Sequence, residues 1–213
     1  MSLWRPEPLL LALPDALPMA EAVVALALRV EALRPRRSTR VACVVPAPFV
    51  RYVLVPWNAT MQGRKARQVF AEHCFRETYG ELAREWVVRV DPGRFGHATL
   101  ACAMNIGLLD ELARVFQASG LVLESVQPAL MNAFNALPTR LAAGSTWIVV
   151  PGSGTLTLLL VEDGRPLRVA LVAGSVERME ACLRREWFAL GREGTWSHVR
   201  VCPAAPNPQA LAA

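Results

Sequence analysis

Few residues in this chain are placed to do chemistry. Gly152-Ser153-Gly154-Thr155 joins two apolar runs and sets two hydroxyls among glycines. Backbone N–H groups in such a turn can close on a phosphate oxygen. Gly and Ser also make an ordinary hairpin turn, and that is the plainer reading of a lone Gly-x-Gly. His73, His97 and His198 lie far apart in the chain. His73 and Cys74 would diverge as neighbours on one helix, so they form no nucleophile–base pair. Cys43, Cys74, Cys102, Cys182 and Cys202 are widely spaced, with no Cys-x-x-Cys among them. That spacing speaks for free buried thiols, not for a zinc site or a disulfide framework. Asp110 and Glu111 read as the solvent side of a helix, and no Gly-x-Ser-x-Gly, His-Glu-x-x-His or P-loop pattern occurs. The other candidates are cationic: Arg34, Arg36, Arg37 and Arg40 in one loop, then Arg64, Lys65 and Arg67 at the head of a helix. They suit an acidic partner surface or anionic lipid, or they solvate an arginine-rich face. Trp4, Trp57, Trp187 and Trp196 are side chains of the kind that anchor interfaces or fill a core.

Composition narrows the classes further. Of 213 residues, 53% are hydrophobic and 19% charged, which describes a packed chain long enough to bury a core without disulfides or metals. The net charge of +5 is too mild for a nucleic-acid-binding stripe. Lys65 is the one lysine, so the arginine excess reflects a general residue preference and not selection for phosphate. The amino-terminal residues lack a secretory pattern, and the longest apolar helical stretch, 19–33, is broken by Glu21, Arg29 and Glu31. The expectation is a soluble, cytoplasmic chain.

The elements that must position these residues follow from periodicity. Strands are expected at 8–13, 41–45, 49–55, 85–90, 97–104, 121–128, 146–150, 155–161, 165–173 and 198–202. Helices are expected at 18–34, 62–79, 106–119, 129–136 and 175–189, the last with Ser175 as its N-cap. Pro46-Ala47-Pro48 reads as the turn of a strand pair over 41–55, and Ile106, Leu109, Leu112, Val115 and Phe116 as the apolar face of the third helix. Strands and helices intermix with frequent hairpins, which predicts an α/β chain with mixed sheets.

Three phrases carry a family resemblance: LACAMNIGLLDELARVFQASGL at 100–121, VQPALMNAFN at 126–135 and VVPAPFVRYVLVPW at 44–57. With the strand-helix-strand-strand block at 41–104 and the three-stranded meander plus helix at 146–189, they resemble the PilM and GspL-type branch of the actin-like ATPase superfamily over roughly 40–190. The resemblance implies an actin-like, RNase H-like core. Its parts would be a shortened strand and helix at 1–40, a small inserted subdomain at 41–104, an actin-like lobe at 105–205 and a loose tail at 206–213. It also implies where nucleotide would bind: a first phosphate turn near Asp15, a second at Gly152, Ser153, Gly154 and Thr155, and an adenine-side Gly-Gly represented by Gly174-Ser175.

The chain departs from that pattern. Asp15 has no accompanying glycine or returning strand, and Pro151 lies near the place of the metal-holding aspartate and removes an N–H donor. The site is therefore expected to be vestigial, with no catalytic residue, no metal and no cofactor. The alternative is an actin-like protein that binds or hydrolyses ATP with magnesium. The function the resemblance implies is a non-catalytic scaffold of a type II secretion or type IV pilus platform, cytoplasmic and at the inner membrane. Its implied partners are a secretion ATPase, a bitopic inner-membrane protein and sibling copies in a homodimer. Arg34, Arg36, Arg37, Arg40, Arg64 and Arg67 would contact partner or lipid in a peripheral membrane association, without nucleic acid. An RNase H-like nuclease would need clustered acids on the first strands, which PLLLAL and VACVV lack.

Overall fold

A computed structural model describes residues 7–59, 63–137 and 143–203; Trp4 and the tail 206–213 lie outside these. The chain runs β1 (Leu9–Ala12), α1 (Met19–Leu33), β2 (Arg40–Val45), β3 (Val50–Val55), α2 (Arg64–Tyr79), β4 (Trp86–Val90), β5 (Thr99–Asn105), α3 (Ile106–Ala118), β6 (Val122–Pro128), α4 (Ala129–Asn135), β7 (Ser145–Gly152), β8 (Thr155–Glu162), β9 (Arg165–Ala173), α5 (Met179–Ala189) and β10 (His198–Val201). This is a mixed α/β architecture.

Among the described residues the strands form three sheets, ordered β1-β2-β6, β3-β5-β4 and β10-β7-β8-β9. The first is parallel throughout. Its central strand, RVACVV, is apolar along almost its whole length because both of its faces are covered. Leu26 and Val30 of α1 and Leu108, Leu112 and Phe116 of α3 cover one face over Val41, Cys43 and Val45. Val44 faces the other way, toward Leu130 and Ala133 of α4 and toward Ile148, Val150, Leu159 and Val161 of the last sheet. In that sheet the alternation is strict: Trp147, Val149, Leu156, Leu158 and Leu160 point instead to Leu183 and Trp187 of α5. Both sides of β7 and β8 are thus sealed, which is why TWIVV and TLTLLLV read as unbroken apolar runs. The middle sheet carries α2 on one face through Ala71 and Phe75, and its Val50, Leu100 and Met104 join the cores of the other two sheets.

The expected pairing over 41–55 is not formed. β2 has β1 and β6 on its two edges, and β3 pairs with β5 in a different sheet. Between them Ala47–Phe49 makes a 3₁₀ turn, flanked and entered by Pro46 and Pro48. Such a turn lacks the tight two-residue geometry a hairpin needs and carries the chain out of the first sheet. The strand-helix-strand-strand block therefore starts at β3, and residues 41–45 belong to the core sheet.

Two helix readings also change. The buried side of α3 is Leu108, Leu112 and Phe116, whereas Ile106 is 43% exposed. Asn105 caps this helix by accepting from the N–H groups of Gly107 (2.8 Å) and Leu108 (3.4 Å), which fixes the helix phase so that Ile106 turns outward. Ser175 does not cap α5: a 3₁₀ turn at Val176–Arg178 intervenes, and Arg178 takes the cap position. The Ser175 hydroxyl bonds the Glu177 carboxylate instead and holds that acid below its ordinary range, helped by the Glu177 backbone N–H. Among the described residues no helix is long and apolar enough to cross a membrane.

Candidate functional site

The turn between β7 and β8 is the centre of the candidate site. β7 and β8 pair in full register up to Gly152 and Thr155, so Ser153 and Gly154 form a tight two-residue turn. Gly154 has φ +70°, a conformation that favours glycine. Gly174, at the end of β9, donates its N–H to the Gly154 carbonyl at 3.0 Å. The structure therefore brings Gly152, Ser153, Gly154, Thr155 and Gly174 together.

What approaches this turn is a side chain of the protein itself. Asp15 lies just after β1, and its Oδ2 accepts from the Ser153 N–H at 2.7 Å while its Oδ1 accepts from the Ser153 hydroxyl at 2.8 Å. A Cβ at position 152 would fall 3.0 Å from Asp15 Oδ2 and 3.1 Å from Thr155 Oγ1. Glycine at 152 is what lets the carboxylate in. Asp15 and Ser153 are 138 residues apart, so this clasp ties the first sheet to the last. The turn's donors meet an oxyanion, and that oxyanion is internal.

The Ser153 N–H, which could otherwise face a phosphate, is bonded to Asp15, and Pro151 supplies no N–H. Among the described residues no three His, Cys, Asp or Glu side chains converge as metal ligands.

The arginines divide into distinct environments. Arg40 bonds Glu124 at 2.8 Å across the β2–β6 pair. Arg34 is the left-handed C-cap of α1, and Arg37 lies over Gly120 just past the end of α3. Cations there complement the carbonyl ends of both helices, which gives that loop a structural reason for its charge. Arg36 and Arg64 are exposed, and Arg67 bonds the Pro92 carbonyl, beside a cavity walled by Trp57, Phe70 and Phe95. Trp57 is 42% exposed and meets Phe95 edge to face, so it remains available. Trp187 is not: it is 4% exposed under Arg192, whose guanidinium lies 4.9 Å from the ring while bonding both oxygens of Glu162. That bond holds the Glu162 carboxyl below its usual range.

Burial pushes the thiol pKa of Cys43 up to about 12 and that of Cys102 up to about 11, and it raises those of Cys74 and Cys202 as well. All five are free. The Tyr52 hydroxyl, also driven upward by burial and then by Cys102, has no hydrogen-bond partner among the described residues.

Sequence reasoning found the turn and Gly174 but not the clasp. Asp15 was visible as an isolated acid after an apolar strand; its pairing with Ser153 was not.

No protein-family model matches the chain, and no curated protein matches it by sequence. Solved structures do. The cytoplasmic domain of EpsL, an inner membrane component of the type II secretion system of Vibrio cholerae, aligns with a TM-score of 0.55 at 11% identity over 88% of this chain and 68% of that one. A Bacteroides thetaiotaomicron protein with an actin-like ATPase fold and unknown function aligns at 0.53 and 10% identity, over 88% of this chain and 71% of that one. A PilM–PilN type IV pilus biogenesis complex aligns at 0.49 and 19% identity, over 86% of this chain and 57% of that one. The fold of the chain is therefore actin-like, as the resemblance implied.

Proposed function

We propose that this domain is a non-catalytic assembly scaffold of an inner-membrane secretion or pilus platform, working on its cytoplasmic side by binding partner proteins. The observation that carries the reading is the Asp15–Ser153 clasp: an actin-like fold whose phosphate turn is closed by its own carboxylate. Pro151 in place of a metal-holding acid supports it. So does the likeness of fold to an inner membrane component of a type II secretion system. The partners that fit are other proteins of such a machine: a secretion ATPase, a bitopic inner-membrane protein, or a second copy.

Titration of the purified chain with a fluorescent ATP analogue and magnesium tests this. No saturable binding is expected up to millimolar analogue. Micromolar affinity would replace the scaffold reading with that of an ATP-binding actin-like protein.

A further inference from the structure

We infer that the groove between the small subdomain and the last sheet binds an extended acidic segment of a partner protein that also carries apolar side chains. The inference deepens the scaffold reading, on which it rests, by naming the chemistry of a partner.

Two side-chain-sized cavities share one wall, formed by Gly93, Arg94, His97 and Thr99. On one side of it a cavity of about 360 Å³ is walled by Trp57, Phe70 and Phe95. On the other, a cavity of about 110 Å³ is walled by Met131, Phe134 and Leu159. Phe95, at the loop tip, is 88% exposed, a poor place for a phenyl ring unless something covers it. An extended segment can lay side chains into both cavities while its alternate side chains face the wall between them.

Charge selects the occupant. Arg94 stands on the shared wall and Arg165 lines the second cavity, and neither makes a hydrogen bond or ion pair among the described side chains. Arg67 adds to the same field. Asp91, which accepts from the Gly93 N–H at 2.7 Å, is the one acid among the residues lining the two cavities, against Arg67, Arg94 and Arg165; Asp163 accepts from the Gly144 N–H at 2.9 Å and Glu162 is held by Arg192. The groove thus presents apolar pockets lined by three arginines against one acid, and a segment alternating acidic and apolar residues complements both.

The test uses a fluorescein-labelled dodecapeptide in which Asp and Glu separate one Phe and one Leu, its Lys-for-acid counterpart, and phosphatidylglycerol–phosphatidylcholine vesicles. The acidic peptide should bind saturably and the basic one should not. The double variant Arg94→Glu, Arg165→Glu should weaken binding about tenfold or more, as expected for reversed charges at an interface. Phe95→Ala should weaken it as well, while Arg184→Glu on α5, outside the groove, should leave it unchanged. Circular dichroism and melting of each variant keep a folding defect apart from a binding defect. Equal binding of the basic peptide, undiminished binding by the double variant, binding of vesicles alone, or no saturable binding would each overturn the inference. A silent peptide with silent ATP rejects the groove only; ATP binding rejects the scaffold reading itself.

Discussion

Replacing Asp15 with alanine removes both bonds to Ser153, one from a backbone N–H and one from a hydroxyl. Hydrogen bonds to a charged acceptor contribute about 1.5–3 kcal/mol each when desolvated. Ser153 is exposed and Asp15 half-buried, so water replaces much of the loss, and about 1–2 kcal/mol in total is expected. For a chain of this size that corresponds to a fall in Tm of roughly 2–8 °C. Asp15→Asn keeps one acceptor and should fall between wild type and the alanine variant. Ser153→Ala removes only the hydroxyl bond, so a double-mutant cycle with Asp15→Ala should show a coupling of about 0.5–1 kcal/mol. Urea unfolding with an unchanged m-value measures all three. A coupling near zero, or a Tm within about 1 °C of wild type for Asp15→Ala, would refute the view that the clasp joins the two sheets.

Three further outcomes are expected. Gly174→Ala would put a Cβ 3.0 Å from Cys182 Sγ, and overpacking of that kind costs about 1–3 kcal/mol; adding Cys182→Ala should restore much of it in thermal melts. Arg168→Ala would leave Glu186, 7% exposed, without the guanidinium that bonds it at 2.9 and 3.1 Å; about 2–3 kcal/mol should be lost, and loss below about 0.5 kcal/mol would place the pair with ordinary surface pairs. Stability should be level up to about pH 9 and fall from there toward pH 11. Cys43 and Cys102 keep their protons in the folded state up to about 12 and 11, whereas unfolded thiols release them from 9.0 upward, so the unfolded chain binds fewer protons over that window. Tyr52 acts in the same direction, and a urea midpoint unchanged between pH 8 and pH 10.5 would contradict the burial of these groups.

Much of the fold was legible because local chemistry decides it. TWIVV and TLTLLLV, separated by Gly and Ser, have few alternatives to a buried hairpin. Gly80, with φ +63°, ends α2 where its sequence position suggested. The partners of a strand were less legible. VACVV and FVRYVLV are equally β-prone, and only the long-range competition of β1 and β6 for the edges of β2 assigns them to different sheets. The expected face of α3 erred at its start, where Asn105 was not seen as a cap: Ile106 turns outward and Leu108 is buried, while Leu112 and Phe116 are buried as expected. Trp187 could be read as an anchor or as a core residue, and it is the latter, buried beneath Arg192. The glycines of the site could be named from the sequence, but their occupant lies 138 residues away, and nothing local marks it.

That occupant changes what Gly152 records. A Cβ at 152 would crowd Asp15 Oδ2 at 3.0 Å, so the acid favours glycine there whether or not any nucleotide ever visits the turn. Selection for the internal contact alone would preserve a Gly-Ser-Gly-Thr signature through descent. A motif search would then report a nucleotide fingerprint in a lineage that had long ceased to bind one. In such lineages, joint retention of an acid after the first strand and a glycine at the hairpin would distinguish inherited architecture from inherited activity.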